Sequence, residues 1–276
     1  MIQEYRTWYG KTEVFKEQLS EVNCRRLYQT LNIKGIPPSY GEKVFPMALL
    51  ILGEPSIPLA EIGSDGHPLR GGFMPPIPLK RRMFAGGEYV FHFPLRVGNE
   101  VKVTWKISDI IRKNGNSGEL IFVNLQRDFC VKDRLYATEF RNIVYTDSDP
   151  KSLLLNESGR TGEWVEEIQS DPLQLFRFSA LTFNGHRIHY DRSYAKEVEG
   201  YPGLVVHGPL LATLLSLFAE KKSGRKLRKF VFKAKRPIFD SHKFTLTGES
   251  TGKNSSKFRV LDYQLQTAIE AEGEFF

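Results

Sequence analysis

Several polar side chains that could do chemistry lie close together between positions 184 and 207 of this sequence. They are Asn184, His186, His189, Asp191 and His207. The pKa of histidine lies near working pH, which suits its imidazole to proton transfer. An amide cannot take up a proton at accessible pH, so Asn184 could orient a water or a ligand but could not act as a base. The structural alternatives are an asparagine that ends a helix and histidines that belong to the core or to a strand.

Two predicted helices flank this polar stretch and must position it. Asp171 and Pro172 are typical of a helix start, and apolar residues carry this helix up to Asn184-Gly185, a natural stop. The second helix begins at Gly208-Pro209 and continues through the apolar run to Ala219. Because this second helix is apolar on nearly every side, we expect the rest of its domain to enclose it.

Length and composition favour a folded protein without a disulfide framework. The 276 residues can form one large domain or two ordinary ones, and 41% hydrophobic residues with 20 Phe suffice for a core. Cys24 and Cys130 have no metal-ligand spacing, which fits a reducing compartment. The apolar runs are too short to cross a bilayer, and the first ten residues lack a signal core. We therefore expect a soluble, cytoplasmic protein.

The net charge of +7 is concentrated in two basic clusters. One is Lys80-Arg81-Arg82, and the other is the segment 221–236, which holds nine Lys or Arg residues and no acid. Such clusters attract phosphate groups and acidic partner proteins, although a solvated helix end and strand face is an equally simple explanation. No nucleic-acid partner is expected, because no nucleic-acid-binding motif accompanies the charge.

Alternating residues predict four antiparallel strands in each half of the chain. The first set is 89–93, 100–107, 120–125 and 135–145, with a turn at 114–118. The second set is 230–232, 242–246, 258–265 and 267–276. Both sets contain a corner that starts with proline and an aliphatic residue, at 94–101 and 237–244, so we predict a duplicated chain. Two such units could pair their sheets edge to edge.

The remaining segments give weaker patterns. Residues 12–32 predict an amphipathic helix. Residues 45–52 are either a buried helix or a core strand, because periodicity cannot decide between them. Residues 64–87 are rich in Gly and Pro and predict an irregular loop, and 146–172 is the best candidate for a linker.

Two blocks of the sequence resemble a known family. NGHRIHYD (184–191) followed by YPGLVVHGPLLATLL (201–215) is similar to the hydratase signature of MaoC-like enzymes. Together with RRMFAGGEYVFHFPLRVGNEV (81–101), it resembles more narrowly the mesaconyl-C4-CoA and itaconyl-CoA hydratases and the type 2 hydroxyacyl-thioester dehydratases. The likeness covers about residues 70–276.

This resemblance implies an α+β double hot-dog fold, with two antiparallel sheets each wrapped around a central helix. Residues 1–150 would form a degenerate, substrate-binding half, and residues 151–276 the half that carries the catalytic motif. The thioester site would lie at the junction of the halves. Neither a metal nor a cofactor is implied, since coenzyme A is part of the substrate.

The resemblance also implies roles for individual residues. The broader family has an aspartate five residues before its catalytic histidine, whereas this chain has Asn184 before His189. His189 would then carry most of the proton transfer, and Asn184 would orient water or hold the substrate. The Gly208 N–H would stabilise the thioester oxyanion, because a helix N-terminus offers unpaired N–H groups and Pro209 has none. His207 and the cluster Lys80, Arg81 and Arg82 are expected to bind substrate, and Asp191 to cap a helix over 192–199.

The expected activity is that of a hydro-lyase that adds or removes water across the α,β double bond of an acyl thioester. A thioesterase and a non-catalytic binding module for acyl-CoA or acyl carrier protein are the alternatives, since one fold hosts several functions. The expected partners are an acyl-CoA substrate, an acyl carrier protein in the alternative case, and further copies of this chain in a homo-oligomer. No membrane association is expected.

Overall fold

The computed structural model describes residues 2–115, 118–148 and 158–276. In these ranges ten strands form one sheet in the order β1-β3-β4-β5-β2-β7-β10-β9-β8-β6, and every recorded pairing is antiparallel. The strands of the first half are β1 (Thr12–Gln18), β2 (Arg81–Phe91), β3 (Glu100–Gly115), β4 (Gly118–Val131) and β5 (Arg134–Thr146). Those of the second half are β6 (Trp164–Ile168), β7 (Leu227–Ala234), β8 (Phe244–Gly252), β9 (Ser255–Leu261) and β10 (Thr267–Phe275).

The two half-sheets join edge to edge through β2 and β7, as the sequence predicts. Tyr89 lies opposite Phe230, and Gly86 lies opposite Lys233. Gly86 has a φ of +137°, and a Cβ at this position would lie 2.4 Å from the Phe232 carbonyl oxygen. Only glycine therefore allows the chain to bulge here while both neighbouring strands stay paired.

The second predicted helix is α3 (Gly208–Ser223), and its predicted enclosure is confirmed. It starts with proline in its first turn and ends at Gly224, whose φ of 68° is left-handed. It packs on β7, β8 and β9, and five large apolar side chains on it are buried: Leu210, Leu211, Leu214, Leu215 and Phe218. Each such side chain stabilises the fold by about 1.5–3 kcal/mol on leaving water.

The first half encloses a much shorter helical turn at the equivalent place. Residues 45–52, for which the sequence could not distinguish a helix from a strand, contain the 3₁₀ helix Pro46–Ile51. Its residues Met47–Ile51 are buried. In each half, a valine just before the enclosed segment bonds to the aliphatic residue of the proline corner. Val44 N–H donates to the Leu95 carbonyl at 3.0 Å, and Val206 N–H donates to the Ile238 carbonyl at 2.8 Å. This match is what a duplicated chain would give.

Three expectations about the elements are wrong. Residues 12–32 are not one helix but β1 followed by α1 (Glu21–Thr30), because β1 pairs with β3 and the Ser20 side chain accepts from Asn23 N–H to start α1. Residues 81–87 are not loop but the first part of β2. The linker candidate contains β6, which pairs with β8, while its residues 149–157 lie outside the described part of the chain.

The first flanking helix is α2 (Pro172–Leu181), and it begins as predicted. The Asp171 side chain accepts from Gln174 N–H at 2.9 Å. The helix ends at Leu181, before the predicted stop at Asn184-Gly185. No helix in the described residues has the length and apolar character needed to cross a bilayer.

Candidate active site

A cavity of about 1450 Å³ lies between the two halves, and both contribute to its wall. It exceeds the roughly 300–1,000 Å³ of common small-molecule sites, so it suits a long ligand. His189, Asn184 and Gly208 line it from the second half, while Phe84 and Arg82 line it from the first. The structure therefore brings all three predicted catalytic residues to one cavity.

His189 is buried (7% exposed), and its tautomer is fixed. It ends a short 3₁₀ helix, Arg187–His189, and its Nδ1 lies 2.7 Å from the Val205 carbonyl oxygen. A carbonyl can only accept, so Nδ1 carries the proton and Nε2 has a free lone pair. Burial lowers the pKa of His189 to about 4, outweighing the raising effect of the bond to Val205. At neutral pH His189 is thus an unprotonated base.

His207 lies behind His189 and is not part of the cavity wall. It precedes α3, is fully buried, and stacks on His189 with ring centroids 3.7 Å apart. The Ser179 hydroxyl, presented by α2, lies 2.8 Å from His207 Nε2. Burial and the neighbouring His189 both lower the pKa of His207 well below its usual value. His207 was predicted to bind substrate, but in the structure it lies outside the cavity wall and supports the ring of His189.

The side-chain oxygen of Asn184 is hydrogen-bonded to the backbone. Its Oδ1 accepts from His186 N–H at 3.1 Å, which leaves the Nδ2 hydrogens for the cavity that Asn184 lines. The left-handed residue after α2 is Phe183, with a φ of 49°, so Asn184 is not the left-handed helix end of the structural alternative. Asn184 can thus donate to a water or a ligand.

Gly208 begins α3 directly beside the stacked histidines. The first N–H groups of a helix have no partner within it, and the helix dipole makes this end positive. A Cβ at Gly208 would lie 2.7 Å from Cδ1 of Phe84, so the aromatic ring of the first half closes over the helix start. This site suits a partial negative charge.

The cluster Lys80, Arg81 and Arg82 is split by the structure. Among these three, Arg82 alone lines the cavity. The Arg81 guanidinium donates to the Ser148 carbonyl at 2.9 Å and lies 3.5 Å from Glu199, while Lys80 is exposed. These contacts hold the Arg81 side chain away from the cavity wall. From the second basic segment, Lys233, Lys235 and Arg236 also line the cavity.

Comparison with known proteins identifies the family. The sequence profile described as hydroxyacyl-thioester dehydratase type 2 matches residues 48–240. A mesaconyl-C(4)-CoA hydratase of Chloroflexus aurantiacus is 38% identical over 252 residues, which are 90% of this chain and 90% of that protein. This chain belongs to the hydroxyacyl-thioester dehydratase type 2 family.

More distant members and structures agree with this assignment. A mitochondrial hydroxyacyl-thioester dehydratase type 2 of Schizosaccharomyces pombe is 26% identical over 282 residues, covering 87% of this chain and 90% of that protein. The structure of HtdX from Mycobacterium tuberculosis superposes with a TM-score of 0.71 at 14% identity, covering 96% of this chain and all of that one. A protein of the same organism described as a double hot-dog has a TM-score of 0.56 at 11% identity, over 97% of this chain and 96% of that one. The predicted double hot-dog fold is confirmed.

One pair of residues near the site was missed in the sequence. His67, in an irregular segment of the first half, lines the cavity and contacts His186, with ring centroids 4.2 Å apart and planes tilted by 45°. Its Nδ1 lies 3.2 Å from Asp65 Oδ2. The available signal was the tripeptide Asp65-Gly66-His67, which repeats the pattern of residues 184–186.

The remaining polar residues of the signature have structural roles. The Asp191 side chain accepts from Tyr194 N–H at 3.0 Å and pairs with Arg187 at 2.7 Å, so its predicted capping role is confirmed. It caps a π-helical turn, Tyr194–Val198, that leads back toward the cavity.

Proposed function

We propose that this hydro-lyase hydrates a branched, carboxylate-bearing enoyl-CoA, and that His189 is its general base. The observation that carries the proposal is the position of His189: its ring is neutral, lies at the cavity, and stacks on the residue that immediately precedes Gly208. A base and an oxyanion site thus adjoin in one pocket.

The proposed reaction starts with a water between His189 and the β carbon of the substrate. His189 Nε2 takes one proton as the water oxygen bonds to the β carbon. The π electrons of the double bond shift toward the thioester, whose oxygen becomes an enolate held by the Gly208 N–H. The imidazolium then gives the same proton to the α carbon, so that one water has been added. Dehydration is the reverse of these steps.

Asn184 supports the proposed reaction without transferring a proton. Its Oδ1 is committed to His186 N–H, so its Nδ2 donates to the water oxygen and directs the free lone pair. This arrangement supplies orientation, whereas a carboxylate at this position would supply a second base.

The substrate class follows from the relative with the higher identity and from the charges of the cavity. Mesaconic acid is a methyl-branched butenedioic acid, so its CoA thioester retains one free carboxylate. Arg82 lines the cavity wall and suits that carboxylate, while Lys233 suits a phosphate of coenzyme A. Lys235 and Arg236 also line the cavity, but they pair with Glu270 at 2.9 Å and with Asp262 at 3.2 Å. An acyl carrier protein would present the same thioester on an acidic surface, and it is the second candidate carrier.

In this proposal the two halves supply different parts of the site. The second half, 151–276, supplies the base and the oxyanion site, and the first half, 1–150, supplies substrate-binding wall residues such as Phe84 and Arg82. The cytoplasmic location and the homo-oligomer stay predictions of the sequence.

The proposal is tested by mixing the protein with mesaconyl-C4-CoA and, separately, with crotonyl-CoA. Loss of the enoyl absorbance without release of free thiol is the expected result. Release of thiol would identify a thioesterase instead, and saturable binding without any turnover would identify a binding module. Both outcomes contradict the proposal.

The His189→Ala variant assigns the base, because it should lose hydration while keeping the fold. His92→Ala is the matched control, since His92 is exposed at the end of the β2 region. Equal turnover by His189→Ala and wild type would exclude His189 as the base.

A further inference from the structure

Two tripeptides of the same pattern, one from each half, meet at the site. In each, the first side chain accepts the backbone N–H of the histidine two residues later. The Asp65 carboxylate accepts from His67 N–H at 2.9 Å, and the Asn184 amide oxygen accepts from His186 N–H at 3.1 Å. The two turns therefore share a local structure, but the carboxylate is in the first half and the amide in the second.

The two turns are locked against each other by their central glycines. A Cβ at Gly66 would lie 1.8 Å from the Gly185 carbonyl oxygen, and a Cβ at Gly185 would lie 2.5 Å from that of Gly66. Gly66 also has a left-handed φ of +88°. Arg187 N–H donates to the Asp65 carbonyl at 2.9 Å, and the Arg187 guanidinium donates to the Ser64 carbonyl at 3.0 Å. The first-half loop is thus fixed on the catalytic segment.

This contact brings the His67 imidazole to the cavity in a defined state. Its side chain is 18% exposed, and its Nδ1 faces Asp65 Oδ2 at 3.2 Å. An ionised carboxylate can only accept, so Nδ1 carries the proton and Nε2 is free to accept from a ligand. Burial opposes ionisation of Asp65, but its contacts with His67 lower the pKa of Asp65 to about 2, so it is a carboxylate.

The charges around His67 keep its ring neutral. Burial and the positive charges of Arg82 and Arg70 lower the pKa of His67 to about 4, against the raising effect of Asp65. His186, whose ring contacts that of His67, is neutral as well, because burial lowers its pKa well below the usual value. His67 and His189 therefore both present an unprotonated nitrogen at neutral pH.

We infer that His67 is a second catalytic imidazole, supplied by the first half in place of the carboxylate that Asn184 lacks. The inference rests on the proposed hydration. His189 takes one proton of the attacking water, as above, and His67 Nε2 accepts a hydrogen bond from its other O–H. That second hydrogen stays on oxygen and becomes the hydroxyl hydrogen of the product, so the balance of the reaction is unchanged. Asp65 is the positioning residue that fixes the tautomer of His67.

His186 is the other candidate for this role, and its surroundings favour His67. The His186 ring lies beside both imidazoles, with its centroid 4.2 Å from that of His67 and 5.5 Å from that of His189. Within the described ranges, no hydrogen-bond partner is recorded for either ring nitrogen of His186, whereas Asp65 orients His67. A base with a fixed tautomer costs less reorganisation in the transition state.

The test compares His67→Gln and His67→Ala with wild type on the enoyl-CoA that the wild type hydrates. We expect kcat to fall about 100-fold or more, the usual loss for an acid–base group, with KM changed much less. Millimolar imidazole should restore part of the kcat of His67→Ala, because the free base can occupy the vacated space. Asp65→Asn should give an intermediate loss of kcat. His92→Gln is the control, and circular dichroism verifies the fold of each variant.

Two results would overturn the inference. One is a kcat of His67→Gln within twofold of wild type while His189→Ala is inactive. The other is a loss of kcat in His67→Ala that imidazole does not restore and that follows a lower melting temperature, as a packing role would give. Failure of the proposed function is distinguishable, because the wild type itself would then not hydrate any enoyl-CoA.

Discussion

The imidazole of His189 lies almost parallel to that of His207, at an interplanar angle of 20° and a centroid distance of 3.7 Å. This stack ties the base to the start of α3, since His207 immediately precedes Gly208 and is itself held by Ser179. The base and the start of α3 are thereby linked through His207, which α2 holds through Ser179. Four predictions about the site follow from these contacts and from those of its neighbours.

Replacement of His207 by Ala should make the His189 ring less well positioned without removing a contact to the substrate. The change empties a fully buried site and leaves the Ser179 hydroxyl without its partner, so we expect a loss of roughly 2–5 kcal/mol of unfolding free energy. The value of kcat should fall while KM stays nearly constant. Urea denaturation and steady-state kinetics measure the two effects. A large increase in KM alone would mean that His207 contacts the substrate after all.

Stability should decrease between pH 6.5 and pH 4. The pKa of His189 and that of His67 are lowered to about 4 in the folded protein, from an ordinary value near 6.5. Between these values the unfolded chain binds more protons, so the stabilisation is complete above pH 6.5 and is lost as pH falls toward 4. The buried carboxylate of Glu139, with its pKa lowered to about 2, contributes mainly below this window.

Urea denaturation at pH 5.0 and 7.5 tests this dependence. The His189→Gln variant should lose less stability between the two pH values than wild type does. An identical difference in both proteins would show that the His189 side chain is not a neutral buried group in solution.

Replacement of Gly208 by Ala should impair the oxyanion site through Phe84. The new Cβ would lie 2.7 Å from Phe84 Cδ1, so the ring or the helix start must move. We expect a cost of about 1–3 kcal/mol in stability and a lower kcat. The double variant Gly208→Ala with Phe84→Ala removes the clash and should recover part of the lost kcat. Equal activities of the single and double variants would argue against this steric mechanism.

Replacement of Arg82 by Ala should weaken the binding of a substrate with a free carboxylate. Loss of a charged hydrogen bond costs about 1.5–3 kcal/mol, so KM for mesaconyl-C4-CoA should rise about tenfold or more. The KM for crotonyl-CoA, which has no free carboxylate, should change less. Lys80→Ala is the matched control because Lys80 is exposed away from the cavity wall. An equal increase in KM for both substrates would show that Arg82 does not recognise the carboxylate.

The sequence determined the elements whose signals are local. The apolar run after Gly208-Pro209 specified an enclosed helix, since its residues cannot face water on any side. Alternation specified most of the strands, and the Asp171-Pro172 pair specified the start of α2. The signature residues Asn184 and His189 were located for the same reason, because their motif is contiguous.

Only the tertiary structure decided the features that depend on distant partners. Residues 12–18 have an apolar pattern compatible with a helix, and their pairing with β3, about ninety residues later, makes them a strand. Arg81 and Arg82 are the same residue type, but Arg81 is held by the Ser148 carbonyl and by Glu199, and only Arg82 lines the cavity. His67 reaches the site because Gly66 meets Gly185 across the two halves, and a packing contact of this kind leaves no periodic pattern in either segment.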